Sequence, residues 1–389
     1  MANEGIAKWF GLRRSNFILN PRTDAAFYAT RTGVDIPSIV ENLQVDLVTE
    51  VSPKRFFWGI YGGGKTHTLF KVSKELENIT PIKPIYVECP NVGRNSKFLH
   101  LYHDGIMASM GQDFVVGLFE KFIEKIGLVR RDELERRIKE VIEDIELSKA
   151  IASLLGATPS KKVSFWRYLC GGKTIAKDLD ELAQTEDLTE AEPTKLAGII
   201  IAIGKVVKEV EGKNLVLILD ELDRLLTVTD IASALSFQNA FRILVDPNQK
   251  DVAIIMGCTA GQLREVPEPV LGDTSERAAL GPVLSKLGRH NLIEIQQLEP
   301  NDIDSFIKEV INYVREPNID VRQRIAELKE DISETLEPDF FPITKEAIEA
   351  LKATLGGNTT PREITLRMTQ AAGKAYLMKK PVITRDVIG

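Results

Sequence analysis

Cysteine and histidine are scarce in this chain. Cys89, Cys170 and Cys258 are the three cysteines of 389 residues, far apart and without C-x-x-C spacing. That excludes a disulfide framework and a thiolate zinc site, and the expectation is reduced thiols in a cytoplasmic protein. The four histidines are His67, His100, His103 and His290. His100 and His103 could share a helix face, but no third ligand accompanies them. Long apolar runs are missing as well: none reaches the roughly 18 residues that a membrane helix needs. Met1–Gly5 has neither the basic start nor the apolar stretch of a secretory signal. No internal repeat or low-complexity tract appears, which excludes solenoids and arrays. An excess of positive charge is absent too. The net charge of −6 argues against wholesale coating of nucleic acid and leaves room for a local basic patch.

What is present is a soluble composition, 43% hydrophobic and 27% charged, in a chain too long for one ordinary core. One stretch stands out. Gly59-Ile60-Tyr61-Gly62-Gly63-Gly64-Lys65-Thr66 meets the pattern G-x-x-x-x-G-K-[ST] at every required position. Arg55–Trp58 before it can be a buried strand. Thr68–Leu76 after it reads as a helix with Leu69, Val72 and Leu76 on one face. Glycines let backbone N–H groups turn inward, and those donors, with the positive end of the helix, favour a polyphosphate. Gly59, Gly62, Gly63, Gly64, Lys65, Thr66 and His67 are the expected nucleotide contacts. Lys65 supplies charge for the β- and γ-phosphates and Thr66 a hydroxyl for Mg²⁺.

A second motif lies about 155 residues on. Asn214–Leu219 is an apolar run ending in Asp220-Glu221. At the end of a buried strand, Asp220 can hold the Mg²⁺ shell through water and Glu221 can polarise the attacking water. Three further runs read as strands: Pro84–Cys89, Asp251–Thr259 and Asn291–Ile295. Ile36–Val51, Gly105–Ile126, Leu196–Val210 and Leu280–Leu287 carry helical periodicity. Ile36–Val51 either closes over the adenine or packs on the sheet. Residues from about 130 to 192 are helical and polar, an insertion between the second and third strands. After Pro300 four helices are expected, at Asp302–Val314, Val321–Thr335, Thr344–Leu355 and Pro361–Met378. The expected organisation is therefore an N-terminal segment over 1–54 packing on an ATPase core, the core over 55–299, and a helical lid over 300–389.

Charge segregates inside the insertion. Ser148–Lys177 carries Lys149, Lys161, Lys162, Arg167, Lys173 and Lys177 with no acidic residue, among Phe165, Trp166 and Tyr168. Asp178–Glu192 then carries seven acidic residues and no basic one. The basic stretch is either a nucleic-acid or partner surface, or one block neutralises the other and the aromatics are core. Gly171-Gly172-Lys173-Thr174 imitates a second phosphate loop. The glycine that the pattern requires five residues before Gly172 is Arg167, and no apolar strand leads in.

The order of these motifs resembles the AAA+ ATPases over residues 20 to 380. The likeness rests on Gly59–Thr66, Leu215–Glu221, the strand closing at Thr259, Arg289 after a helix, and Gly356-Gly357-Asn358-Thr359-Thr360-Pro361-Arg362. It implies an α/β fold: a parallel five-stranded P-loop sheet of the ASCE type, flanked by helices, with a helical insertion and a C-terminal helical lid. It also implies ATP and Mg²⁺ as ligands, Thr259 as sensor 1, Arg362 as sensor 2, and Arg289 as an arginine finger, with Arg277 and Arg264 as rivals. Leu219–Asp223 and the Pro-Arg lid signature are similar to the origin-recognition and DNA-loading branch. Phe165-Trp166-Arg167-Tyr168-Leu169 resembles ATP-binding proteins of bacteriophage-exclusion systems. The winged helix that ends origin-recognition proteins is not expected before Gly389.

These likenesses imply an ATP-hydrolysing switch that assembles into a ring or filament and acts on DNA or a DNA-acting partner, in a defence or mobile-element setting. The alternative is a scaffold ATPase gating a protein partner. A protein-remodelling motor would want aromatic pore loops, for which Lys97-Phe98-Leu99 is the offering.

Overall fold

The computed structural model describes residues 2–25, 27–29, 34–49, 52–93, 95–127, 129–227, 231–260, 287 and 291–388. They fall into two compact units, one of residues 38–58 and 72–293, the other of residues 1–37, 59–71 and 294–389.

The larger unit is built on an all-parallel sheet. Its strands are β1 (Lys54–Gly59), β2 (Ile82–Glu88), β3 (Asn214–Asp220), β4 (Val252–Thr259) and β5 (Leu292–Glu294), in the order β2-β3-β4-β1-β5. Leu215, Val216, Leu217, Ile218 and Leu219 are all at most 1% exposed. That is why β3 reads as an unbroken apolar run: a central parallel strand is covered on both faces. Register runs from Ile82 opposite Asn214 to Glu88 opposite Asp220, and from Leu215 opposite Val252 to Leu219 opposite Met256. Glu88, Asp220 and Thr259 thus all end strands at the carboxyl edge, where parallel sheets carry their ligand sites.

The first helices are α1 (Ala2–Phe10), α2 (Ile36–Val48) and α3 (Lys65–Glu77). The expectation of one helix over Gly105–Ile126 is corrected. A π-helical turn covers Leu101–Met107, and Gly111, at φ 78°, breaks the chain before α4 (Gln112–Ile126). The insertion is helical as expected, with α5 (Arg131–Ile142), α6 (Ile145–Ala152), α7 (Pro159–Leu169) and α8 (Ala176–Glu181). Asp144 and Thr158 accept from Leu147 N and Lys161 N and start α6 and α7, as N-cap side chains do. Leu134, Ile138, Phe165 and Leu169 join the core that Leu215, Leu217 and Leu219 form. That core takes in α9 (Pro193–Glu211) and α10 (Ile231–Leu244) as well.

The smaller unit is helical: α11 (Pro300–Val314), α12 (Val321–Leu328), α13 (Lys345–Leu355) and α14 (Pro361–Leu377). The second helix expected after Pro300, Val321–Thr335, is corrected: α12 stops at Leu328 and buries none of its residues. Phe10, Leu12 and Phe17 pack in one core with Ile303, Phe306, Ile307, Ile364 and Met368. Residues 1–37 are therefore part of the helical unit, while 38–54 belong to the larger one. Phe10 and Phe17 are 1% and 0% exposed, so each contributes roughly 1.5–3 kcal/mol of burial.

Lys54 is an unusual group in the larger unit. It is 7% exposed, and its ammonium donates to Ser52 Oγ (2.8 Å) and to the carbonyls of Val252 (2.9 Å) and Gln249 (3.3 Å). Burial pushes its pKa down to about 7, against the pull of Asp246 and Asp251. A depressed amine pKa means that the unfolded chain binds more protons between about pH 7 and the ordinary lysine value, so this group's contribution to stability grows as pH rises through that window. Lys54→Met should flatten that part of the stability–pH curve. Urea titrations at pH 6.5 and 9.5 (roughly spanning the shift) check it, and an unchanged slope in the variant contradicts it.

Candidate functional site

The stretch Gly59–Thr66 forms a loop between a strand and a helix, where the sequence places them. β1 delivers the chain to Gly59, the loop turns through Gly62 (φ 77°) and Gly64 (φ 91°), and α3 starts at Lys65. Both glycines take a left-handed conformation that other residues resist. A Cβ on Gly59 would stand 2.4 Å from the Ile295 carbonyl oxygen, so only glycine fits there. Lys65 is 7% exposed. Its ammonium donates to the carbonyls of Gly59 (2.9 Å) and Ile60 (2.8 Å), which curls it back over the loop. Lys65 is thus a brace of the loop as well as a charge. The Thr66 hydroxyl makes no hydrogen bond among the described residues. Thr68 Oγ donates to the Gly64 carbonyl at 3.0 Å and ties down the first turn.

Arg362 meets this loop within the smaller unit. Thr360 caps α14 by accepting from Glu363 N, and Pro361 takes the first helical position. Leu298 and Thr359 exchange backbone hydrogen bonds of 2.8 and 3.1 Å, which fixes the start of that helix. The Arg362 guanidinium lies 4.8 Å from the Tyr61 ring centre and donates to the Tyr61 hydroxyl. A Cβ on Gly62 would stand 3.2 Å from Arg362 Cβ. His67 points elsewhere: its Nε2 donates to the Phe27 carbonyl, and its ring packs edge-on to Phe27 and tilted on Tyr28.

In the larger unit, β3 ends at a buried carboxylate. Asp220 is 1% exposed. Its Oδ2 accepts from the Tyr86 hydroxyl at 2.6 Å and its Oδ1 from Glu221 N at 2.8 Å. Burial and the Asp220 charge push the Tyr86 pKa far up, so this phenol stays a donor. Each Asp220 oxygen retains a lone pair, and a hard oxygen donor of this kind suits Mg²⁺ held through water. Glu221 sits at φ 58°. Burial raises its pKa above the ordinary glutamate value, with Arg224 pulling it down and Asp220 pushing it up. Thr259 N donates to Asp223 Oδ1 at 2.9 Å, while the Thr259 hydroxyl has no partner among the described residues. Arg289, Arg277, Arg264 and the helix expected over Leu280–Leu287 lie outside the described residues, Leu287 excepted.

The other motifs resolve into packing. Phe165 and Tyr168 are 0% and 2% exposed, so neither is free to stack on a base, and Trp166 is half-buried against the same core. Lys162 pairs with Glu120 at 2.5 Å and Arg167 with Asp178 at 3.6 Å, while Lys149, Lys173 and Lys177 are exposed. Gly171–Thr174 is a helix exit: Thr174 N donates to the Asp187 carboxylate at 3.3 Å, and no helix starts until Ala176. Phe98 is 0% exposed, with Phe237 and Phe241 at 6.1 and 6.0 Å, which removes it as a pore residue. Among the described residues no helix is long and apolar enough to cross a membrane, and no group of three His, Cys, Asp or Glu is placed to hold a metal ion.

Two residues of the Asp-Glu end escaped sequence reasoning, Tyr86 and Arg224. Tyr86 looks like any strand residue until the register places β2 beside β3. Arg224 has only its position three after Glu221 as a signal.

No family model matches the chain, and no curated protein does. Among solved structures it is similar to the Aeropyrum pernix ORC2 protein in ADPNP–ADP complexes, at 12% identity and a TM-score of 0.46, over 96% of this chain and 69% of that one. It is similar to the Aeropyrum pernix ORC1 protein in complex with DNA, at 12% identity and a TM-score of 0.42, over 96% of this chain and 65% of that one. The Cdc6p of Pyrobaculum aerophilum gives 11% identity and a TM-score of 0.42, over 94% of this chain and 68% of that one. The chain thus spans about two thirds of the length of each.

Proposed function

We propose that this chain is an ATP-binding and ATP-hydrolysing switch that assembles with copies of itself and acts on DNA or on a DNA-acting partner. The observation that carries the reading is the loop Gly59–Thr66: strand, left-handed glycines, inward lysine and helix start all have the form a polyphosphate needs. Gly59, Gly62, Gly63, Gly64, Lys65 and Thr66 hold the phosphates, and Arg362, laid on Tyr61, adds a cation from the lid. His67 serves the N-terminal segment and is a neighbour of the nucleotide. Thr66 and Asp220 have the donor chemistry for Mg²⁺, which when bound neutralises charge on the phosphates. Glu221 takes a proton from water as the water oxygen bonds to the γ-phosphorus; the bond from that phosphorus to the bridging oxygen breaks, and its electron pair leaves with ADP. Thr259 orients the water through its hydroxyl.

The DNA part of the reading draws on the exposed Lys149, Lys173 and Lys177 of Ser148–Lys177. The scaffold alternative is favoured by the buried aromatics and the Lys162–Glu120 and Arg167–Asp178 pairs of the same stretch. The Phe165–Leu169 likeness to bacteriophage-exclusion proteins rests on residues that the fold uses as core. Hydrolysis measured with and without duplex DNA separates the two. The switch on DNA predicts stimulation, and affinity falling steeply with salt. Lys149→Glu with Lys177→Glu should then weaken DNA binding and lower the salt slope by about 0.9 for each phosphate no longer neutralised. Hydrolysis indifferent to DNA, with no DNA bound, selects the protein-partner reading.

A further inference from the structure

Tyr61 stands inside the phosphate loop and is 68% exposed. The loop's pattern accepts any residue at that position, so the ring is not there for the turn itself. Among the described residues its ring and hydroxyl meet one side chain, Arg362, in the same compact unit. Arg362 is exposed as well, and no carboxylate pairs with it among the described residues. The neighbouring Glu363 is 3.7 Å from Arg367 Nη2 and accepts from Thr359 Oγ1 at 3.4 Å. The stem of Arg362 crosses the loop at Gly62, where a Cβ would stand 3.2 Å from Arg362 Cβ and 3.5 Å from its Cδ. The guanidinium then turns to Tyr61, 4.8 Å from the ring centre. Its Nη1 donates to the Tyr61 hydroxyl. Nε and Nη2, the edge with which a guanidinium grips two oxygens, have no partner among the described residues. An exposed arginine loses much rotamer freedom when it binds a phosphate, and a partner that orders it beforehand removes part of that cost. A carboxylate partner would also spend the charge. An aromatic ring holds a cation through its quadrupole and leaves the charge for an anion.

We propose that Tyr61 is a positioning residue that holds Arg362 over the phosphate loop with its Nε–Nη2 edge open, and thereby sets a preference for a nucleoside triphosphate over the diphosphate. The inference rests on the reading of Gly59–Thr66 as a phosphate site and gives the exposed ring a task within it. The loop's own N–H groups and Lys65 serve a diphosphate. A third phosphate brings further negative charge, and Arg362 is an unpaired cation beside the loop to meet it.

The test uses the full chain. Calorimetry compares the binding of Mg·ADP and of the Mg complex of a non-hydrolysable ATP analogue to the wild type, Tyr61→Ala, Tyr61→Phe, Arg362→Ala and the double variant Tyr61→Ala/Arg362→Ala. Both side chains are exposed, so these substitutions leave the core intact. Tyr61→Ala should weaken the triphosphate by about twofold to fivefold, the range of an exposed cation–ring contact, and leave the diphosphate unchanged. Tyr61→Phe, which keeps the ring and loses the hydroxyl, should fall between the wild type and Tyr61→Ala. Arg362→Ala should lose more triphosphate affinity than Tyr61→Ala. The double variant should match Arg362→Ala, because Tyr61 acts only through Arg362. Equal weakening of both nucleotides, unchanged or tighter triphosphate binding by Tyr61→Ala, or a loss in the double variant beyond that of Arg362→Ala overturns the proposal. If the wild type binds both nucleotides and Arg362→Ala loses nothing, the positioning is refuted and the phosphate site stands. If the wild type binds neither, the nucleotide reading falls, and this inference with it.

Discussion

Glu221→Gln should bind Mg·ATP as the wild type does and turn it over at least about a hundredfold more slowly, the loss typical of a positioned general base. The side chain stands at the end of a strand whose apolar residues are sealed in the core, so its backbone is fixed. Burial raises its pKa, which makes it a stronger proton acceptor than an ordinary glutamate. The amide keeps the shape and the hydrogen-bonding reach and loses the basicity. The same shift places the acid limb of the wild-type kcat profile at higher pH than an ordinary glutamate would give, since turnover needs the ionised form. Two neighbours compete for the role. Asp220 has Tyr86 and Glu221 N on its two oxygens, and Asp223 receives Thr259 N. Near-normal turnover by Glu221→Gln would move the base to one of those two. Single-turnover hydrolysis beside equilibrium nucleotide binding separates the loss of chemistry from the loss of affinity.

Arg289→Ala should hydrolyse about 10³–10⁵-fold more slowly than the wild type if Arg289 acts in trans on a neighbouring copy's nucleotide, the range that such arginines supply to phosphoryl transfer. In the sequence it follows an expected helix and precedes β5. The alternative is a surface cation near a helix end, worth roughly 0.3–1 kcal/mol of stability. Mixing decides. Arg289→Ala and Lys65→Ala should each be inactive alone, and together they should regain activity, because some interfaces then join an intact phosphate loop to an intact arginine. A mixture that co-assembles and stays inactive, or an Arg289→Ala variant of normal rate, assigns the role to Arg277, to Arg264 or to no arginine at all.

Much of the fold was legible because its signals are local. An apolar run closed by Asp-Glu can hardly be anything but a buried strand end, and Gly59–Thr66 fixes loop and helix together. The insertion was legible from the absence of any strand pattern between Arg130 and Glu192. The break at Gly111 was hidden, because the residues on both sides keep helical periodicity. The pairing of Phe10, Leu12 and Phe17 with α11 and α14 was also hidden, since segments some 300 positions apart leave no local trace of each other. The choice for Phe165, Trp166 and Tyr168 between surface and core needed the burial itself: basic and aromatic residues interleave in the same way on a helix that binds a ligand and on one that packs its aromatics inward. Arg224 shows the same limit, because its partners Glu88 and Cys89 come from the other side of the insertion. The charge of Lys65 was legible in the motif and its bracing role was not: its two bonds to Gly59 and Ile60 carbonyls mean that replacing it loosens the loop in addition to deleting a charge.

The central claim is that Gly59–Thr66 holds the phosphates of ATP. Calorimetric titration of the full chain with Mg·ATP tests it most directly, run with the wild type and with Lys65→Ala. The wild type should bind one nucleotide per chain, and Lys65→Ala, with charge and brace both removed, should weaken binding by about a hundredfold or more, the size of a missing charge-assisted hydrogen bond. Equal binding by the two proteins, or no binding by the wild type, would contradict the account.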